Sequence, residues 1–203
     1  MTIRPYRPAD LAALRRICLL TGRAGTDATG QWSSDELLPD IFLEPFATLE
    51  PQTVWVVEQD GAPVGYLLGV LDTTAFIERW RREWTPEFAC RHARVAENPA
   101  EQWLRDFGYE PDWMRIPQLA EYPAHLHIDL LPEAQGRGWG RALMRELGLA
   151  AVAGGVPGIH LVMSNDNLGA GVFYERLGFH DLPADGDARV LGIDPRRLVA
   201  SRS

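Results

Sequence analysis

The feature of this sequence that most constrains its fold is a glycine-rich loop, Gln135-Gly136-Arg137-Gly138-Trp139-Gly140. The loop follows an apolar segment that ends at Leu131 and precedes a helical pattern from Arg141 to Ala153. Three glycines within five positions let the backbone turn tightly, because no Cβ obstructs the turn. Backbone amides at the N-terminus of a helix attract anions. The loop therefore predicts a site for a phosphate group, such as the pyrophosphate of a cofactor.

Several phosphate-binding patterns could account for such a loop. A P-loop requires Gly-Lys-Ser/Thr, but Gly140 is followed by Arg141-Ala142. A dinucleotide fingerprint requires a third glycine at position 141 and a place near the start of the chain. This chain has Arg141 there, and its loop lies after residue 130, so the match is weak. A structural turn without a ligand stays open as an alternative. The pattern Gln/Arg-x-x-Gly-x-Gly/Ala, between a central strand and a helix, is matched by Gln135, Gly138 and Gly140.

The first half of the chain predicts alternating strands and helices. A strand covers 2–7, and a helix that opens at Pro8-Ala9-Asp10 ends near Thr21-Gly22, where apolar residues recur every three or four positions. A loop covers 23–32, and Ser33-Ser34-Asp35-Glu36 fits a capping box for a second helix, which Pro45 is expected to end. An Asp60-Gly61 turn then joins the strands 53–58 and 63–71 into a hairpin.

The segment 72–122 is an insertion of mixed helical character. Phe76, Ile77, Trp80 and Trp84 recur at helical spacing, and prolines divide the rest into short helices and loops. A connection of this length is unusual between two strands. A structural helical flap and a substrate lid are both compatible with the pattern.

The second half predicts a strand–helix–strand–helix unit. His125, His127 and Asp129 alternate with leucine and isoleucine in a strand over 124–131, so they should share one face. The remaining segments are a helix to Ala153, a strand over 158–163, a helix over 167–177, strands over 179–182 and 189–193, and a frayed tail. The whole predicts a single α/β domain, 1–203, with a mixed central sheet flanked by helices.

Composition limits the classes of function. The 203 residues are 46% hydrophobic, and the formal net charge is −8, which argues against a nucleic-acid partner and is compatible with an amine substrate. No apolar run approaches the roughly 20 residues that span a bilayer, and no secretory signal begins the chain, so we expect a cytoplasmic protein without a membrane partner. Cys18 and Cys90 lack metal-like spacing and are expected to be buried or inert, and His125-x-His127 alone gives no metal site.

A second motif lies downstream of the loop. The segment from Asn167 to Phe179 matches Asn-x-x-Ala-x-x-Phe-Tyr-x-x-Leu-Gly-Phe. With both motifs in this order, the chain resembles the GCN5-related N-acetyltransferase (GNAT) superfamily. A narrower resemblance, carried by 65–69, 72–77 and 84–86, is to the acetyltransferase-like C-terminal domain of animal O-GlcNAcases, here as a stand-alone bacterial homologue. The animal domains have lost the glycine loop, whereas this chain keeps it.

The resemblance implies acetyl-CoA as the cofactor and assigns residues to it. Backbone groups of Leu130 and Leu131 would contact the pantetheine, and Asn167 would steady its arm. Tyr174 would lie near the thioester sulfur and protonate the leaving thiolate. The pyrophosphate would be held by the amides of Gln135, Gly136, Arg137, Gly138, Trp139 and Gly140.

The implied reaction is transfer of an acetyl group to an amine, which must lose a proton before it attacks. His127 and Asp129 are the candidate bases, and His125 is a weaker one; positioning alone could also suffice. We therefore expect an N-acetyltransferase for a small-molecule or peptide amine, active as a monomer or homodimer. The alternative is a non-catalytic acyl-CoA-binding pseudo-acetyltransferase with a regulatory or interaction role.

Overall fold

The computed structural model describes residues 1–184 and 188–200, in which seven strands form one mixed sheet. The order across the sheet is β1-β2-β3-β4-β5-β7-β6, and every neighbouring pair is antiparallel except β4 and β5. The strands are β1 (Thr2–Pro5), β2 (Val54–Gln59), β3 (Ala62–Val70), β4 (Ala124–Leu130), β5 (Ile159–Ser164), β6 (His180–Leu182) and β7 (Ala188–Ile193). This architecture confirms the predicted α/β fold with a mixed sheet.

Helices cover both faces of the sheet. They are α1 (Leu11–Thr21), α2 (Leu37–Phe42), α3 (Glu44–Leu49), α4 (Thr73–Arg79), α5 (Thr85–Arg91), α6 (Gln102–Tyr109), α7 (Trp139–Ala153), α8 (Leu168–Leu177) and α9 (Pro195–Ala200). One π-helical turn, Trp80–Trp84, joins α4 to α5. In the described ranges no helix is long and apolar enough to cross a membrane.

The central strands separate after a short parallel contact. β4 and β5 pair only at Ala124–Ile159 and His125–His160. Beyond that point β4 stays paired with β3 as far as Leu130, while β5 stays paired with β7 as far as Ser164. The sheet is therefore split between β4 and β5, and the open side of the split faces the glycine loop that follows β4.

The core lies in two clusters, one on each face of the sheet. Successive side chains of β3 point to opposite faces, so Tyr66 and Leu68 join one cluster while Leu67 joins the other. The first cluster includes residues of α1 to α6, and the second includes residues of α7, α8 and α9. The alternation predicted for β4 therefore places His125, His127 and Asp129 on the first face.

The insertion between β3 and β4 is part of the first cluster. Trp80 and Phe88 are fully buried, and Trp80 Nε1 donates a 3.0 Å hydrogen bond to the Gly108 carbonyl. Trp84 Nε1 donates to the Asp40 carbonyl of α2 at 2.9 Å. The segment thus packs into the domain rather than projecting from it.

The capping box predicted at Ser33 and Glu36 is wrong. Glu36 itself occupies the N-cap of α2, and no side chain caps that helix. The backbone N–H and the Oγ of Ser33 instead bond the Glu101 carboxylate, at 2.9 and 2.5 Å. Glu101 is fully buried, so it needs these donors, and this tertiary demand overrides the local motif.

Two other boundary predictions are also wrong. The second helix ends at Phe42, and Pro45 lies in the first turn of α3, where its missing N–H removes no intrahelical hydrogen bond. The expected frayed tail contains α9, which packs on α7: Leu198 is buried, and a Cβ at Gly148 would lie 2.8 Å from the Leu198 Cβ. The last three positions, 201–203, lie outside the described residues.

Candidate functional site

The glycine loop turns through left-handed backbone into α7. Gly136 has φ of 69°, and Gly138, the N-cap of α7, has φ of 84°. An L side chain rarely adopts such angles. A Cβ built on either glycine would meet no heavy atom within 4 Å, so open space lies beside the loop.

The amides of residues 136–141 have no acceptor in the described chain. The first bonded amide is that of Ala142, which donates to the Gly138 carbonyl at 3.0 Å. Arg137 and Arg141 belong to this segment, both are exposed, and neither is ion-paired within the ranges that the structure describes. Six unbonded donors at a positive helix end, with two cations, fit a bound diphosphate.

The loop is fixed on its inner side. Gly140 is buried, and a Cβ there would lie 3.0 Å from the Phe173 ring of α8, so the glycine permits close packing of the two helices. The side-chain amide of Gln135 donates to the Leu130 carbonyl at 2.8 Å and ties the loop to the end of β4. Trp139 is half-buried and packs on the second cluster.

The two leucines before the loop differ in their backbone bonds. The Leu131 amide donates to the Val64 carbonyl at 2.9 Å, and its carbonyl accepts from Ala134 at 2.8 Å. Backbone groups alternate in direction along a strand, so the Leu130 amide faces the split. Leu130 therefore presents a backbone donor to the split, whereas the amide and carbonyl of Leu131 are already hydrogen-bonded within the chain.

The second motif forms α8 on the far side of the split. Asn167 is its N-cap, and the Asn167 Oδ1 accepts a hydrogen bond from the Ala170 amide at 3.1 Å. Tyr174 lies further along α8 and is 7% exposed. The centroid of its ring lies 5.2 Å from that of Phe173 and 5.3 Å from that of Phe179. Burial, and then the negative charge of Asp129, raise the pKa of Tyr174 above its ordinary value. The phenol therefore keeps its proton at neutral pH.

Asp129 lies on β4 opposite Tyr66 of β3. The Tyr66 hydroxyl donates a 2.5 Å hydrogen bond to the Asp129 Oδ2. Burial raises the pKa of Asp129, although hydrogen bonds from Tyr66 and Thr21 oppose the shift. Within the described residues Asp129 does not hydrogen-bond to His127, so the carboxylate does not orient that imidazole.

His127 is surrounded by aromatic rings. Its ring lies 4.9 Å from Phe46, 5.9 Å from Phe42 and 6.1 Å from Trp113, measured between ring centroids. The Nε2 atom is buried and has no hydrogen-bond partner within the described ranges. Burial lowers the pKa of His127 to about 4, so the ring is neutral at pH 7.

His125 lies deeper on the same face. It is 4% exposed, its Nδ1 lies 2.8 Å from the Thr73 hydroxyl, and its Nε2 has no hydrogen-bond partner among the residues that the structure describes. A small cavity at the base of the split is lined by residues of β4, β5 and the end of the insertion: Trp113, Met114, His125, Leu126, His127, His160, Leu161 and Val162. The part of the chain that the structure describes contains no group of three or more histidine, cysteine or acidic residues arranged to hold a metal.

Sequence reasoning missed Tyr66, Phe42 and Trp113. Tyr66 is a lone hydroxyl in an apolar central strand, and such a residue signals a buried polar partner on the next strand. No comparable local signal marks Phe42 or Trp113, because chain segments distant in sequence bring them to His127. Cys18 is buried as expected, whereas Cys90 is exposed.

Comparisons with known proteins agree on one family. The family model for the acetyltransferase (GNAT) domain matches residues 113–181. The crystal structure of SsHAT superposes with a TM-score of 0.90 at 39% identity, covering 96% of this chain and 98% of SsHAT. The structure of yncA, a putative acetyltransferase from Salmonella typhimurium with its cofactor acetyl-CoA, superposes with a TM-score of 0.56 at 17% identity, covering 96% and 93% of the two chains.

Protein O-GlcNAcase of Rattus norvegicus is 25% identical over 206 residues, which covers all of this chain. The chain spans 22% of the length of that relative. The family is supported by the match to the GNAT model and by similarity to SsHAT over nearly the full length of both chains. The split between the central strands and the glycine loop with unbonded amides agree with it. The chain belongs to the GNAT acetyltransferase family.

Proposed function

We propose that the protein binds acetyl-CoA and transfers its acetyl group to an amine. The observation that carries the proposal is the cradle of unbonded amides at residues 136–141, placed where β4 and β5 separate. Acetyl-CoA in the similar yncA structure supports the choice of ligand. The residues present fit the cofactor, since open space adjoins Gly136 and Gly138.

Each group of residues contributes to holding the cofactor. The amides of the loop bind the pyrophosphate, and Arg137 adds positive charge beside it. The Leu130 amide, directed into the split, would bond the pantetheine arm. Asn167 holds the N-terminus of α8 in place and thereby positions Tyr174. When bound, the thioester supplies an activated acetyl group.

Two side chains on opposite sides of the split are suited to the proton transfers. Tyr174, kept protonated by burial and by Asp129, donates its proton to the sulfur as the carbon–sulfur bond breaks. His127 is neutral, and its Nε2, which has no hydrogen-bond partner among the described residues, is placed to accept the proton that the amine loses as the new carbon–nitrogen bond forms. Its pKa of about 4 makes it a weaker base than free imidazole, so positioning of the amine also contributes to the rate. Asp129 is already engaged by Tyr66, so we assign it an electrostatic role on Tyr174 rather than proton abstraction.

Calorimetry with acetyl-CoA, followed by a free-thiol assay over a panel of amines, tests the proposal. We expect binding with one site per chain and thiol release that depends on the amine. Failure to bind acetyl-CoA would contradict the loop assignment. Binding without thiol release for any amine would instead favour a pseudo-acetyltransferase that acts through interaction.

A further inference from the structure

A row of aromatic side chains leads from solvent to His127. We call it the aromatic wall, and its members come from the loop before α2, from α2 itself, from α6 and from the one-turn 3₁₀ helix Pro111–Met114 that follows α6. The ring centroids lie 5.8 Å apart for Trp32–Trp103, 5.4 Å for Trp103–Phe107, 5.2 Å for Phe107–Trp113 and 5.7 Å for Phe42–Trp113. Each ring therefore contacts the next.

The wall is not sealed inside the core. Trp103 is 49% exposed, and the other four members are half-buried. At the inner end, Phe42 and Trp113 both contact the ring of His127. Trp113, at this inner end, and His127 also line the small cavity at the base of the split, so the wall ends beside that cavity.

The carboxylates on the elements that carry the wall are already engaged. Glu36, Asp40, Glu44, Glu101 and Asp112 are paired with arginines, and Asp40 also with His92. Asp35 accepts from the Gly30 amide, and Asp106 accepts from the side chain of Gln102. Among the described residues, most carboxylates of these elements are therefore paired with a cation, while Asp35 and Asp106 accept hydrogen bonds from neutral donors.

These observations define the chemistry of an occupant. Burial of exposed aromatic rings against a flat apolar or aromatic ligand is energetically favourable. Because most carboxylates of these elements already have a cationic partner, they favour an occupant with a single amine over a polyamine or a basic peptide. We propose that the acetyl acceptor is a primary monoamine on an aromatic or flat apolar body, bound along the aromatic wall; this rests on the proposed function.

The test compares 2-phenylethylamine and tryptamine with n-propylamine, spermidine and a lysine-containing peptide. One readout is KM in the free-thiol assay. A second, independent of turnover, is calorimetric binding of each amine to protein saturated with coenzyme A, which carries no acetyl group. We expect the two aromatic amines to have the lowest KM and Kd.

Variants at the exposed end of the wall link this preference to its rings. Trp103→Ala should raise KM and Kd for the aromatic amines about two- to tenfold, with kcat nearly unchanged, because it removes ring contact without touching the reacting atoms. Trp103→Phe should restore most of the affinity. The control is Val95→Ala, at an exposed insertion residue with no place in the wall, and it should change neither constant.

The outcomes separate this inference from the proposed function. Preference for spermidine or the peptide, or a Trp103→Ala protein with unaltered Kd, would overturn the inference while leaving acetyl transfer intact. Tight, Trp103-dependent binding of 2-phenylethylamine without thiol release would support the wall as an amine site and contradict transfer.

Discussion

His92 Nε2 lies 2.7 Å from Asp40 Oδ2, and this buried contact joins the insertion to α2. Asp40 is 1% exposed, and Arg15 and Arg91 also contact its carboxylate, at 2.7 and 3.1 Å. Burial alone would raise the pKa of Asp40, but the bond with His92 and the two positive charges together hold it below its ordinary value. The insertion is therefore anchored by ionic contacts, which favours a fixed structural element over a lid.

Asp40→Asn should lower the free energy of unfolding by about 3 kcal/mol at pH 7, because it removes the buried negative charge that Arg15, Arg91 and His92 contact. Urea denaturation checks this. Since the folded pKa lies below the unfolded one, this stabilisation is present above the ordinary aspartate range and is lost as pH falls through the folded pKa. The two proteins should thus converge in acid.

The matched control for Asp40 is Glu110→Gln, which breaks an exposed pair with Arg94. It should change stability by less than about 1 kcal/mol. Equal effects of the two substitutions would contradict the anchoring role of Asp40.

Gly138→Val should weaken acetyl-CoA binding by about tenfold or more, because its side chain would enter the open space beside the amides. The strained left-handed residue should also reduce stability by about 1–2 kcal/mol. Gly155, past the opposite end of α7, has φ of 68° and equally open surroundings, so Gly155→Val is a matched control. Calorimetry should show normal affinity for that control, and equal losses of affinity would refute the loop assignment.

Tyr174→Phe should leave acetyl-CoA affinity unchanged and reduce kcat about 100-fold or more, because it removes the proton donor but keeps the ring. The control is Tyr122→Phe, which removes a hydroxyl that contacts His180, and this variant should retain the full rate. An unaltered kcat in the Tyr174 variant would remove this residue as the acid.

His127→Gln should make stability less sensitive to mild acid. The pKa of His127 is about 4 when folded, against about 6.5 for a free histidine, so the unfolded chain binds the additional proton. Its contribution to stability is therefore present above pH 6.5 and is lost as pH falls towards 4.

For the wild type, this residue should account for about 2 kcal/mol of the stability lost between pH 7.5 and pH 5. The remaining loss in the variant should come from His125 and His160, whose pKa values burial also lowers. Urea denaturation at pH 7.5 and pH 5 measures the loss of stability in each protein. The control is His180→Gln, at an exposed position. An identical loss in wild type and His127→Gln would contradict the lowered pKa of His127 in the folded protein.

The sequence predicted the order of strands and helices because hydrophobic periodicity and glycine punctuation are local properties. The loop from Gln135 to Gly140 belongs to this class, since backbone freedom and a following helix are sufficient to create unbonded amides. Local capping was less predictable: Ser33 bonds Glu101, 68 residues away, because a buried carboxylate needs donors.

What the sequence by itself determined is an α/β chain with a glycine loop before a helix and, through its two motifs, a resemblance to acetyltransferases. Only the tertiary structure decided how the ionisable groups behave. Tyr66 reaches Asp129 across 63 positions of chain, and rings from α2, α3 and the insertion converge on His127. Burial sets the pKa and the bonding of a side chain, and burial depends on which distant segments pack against it.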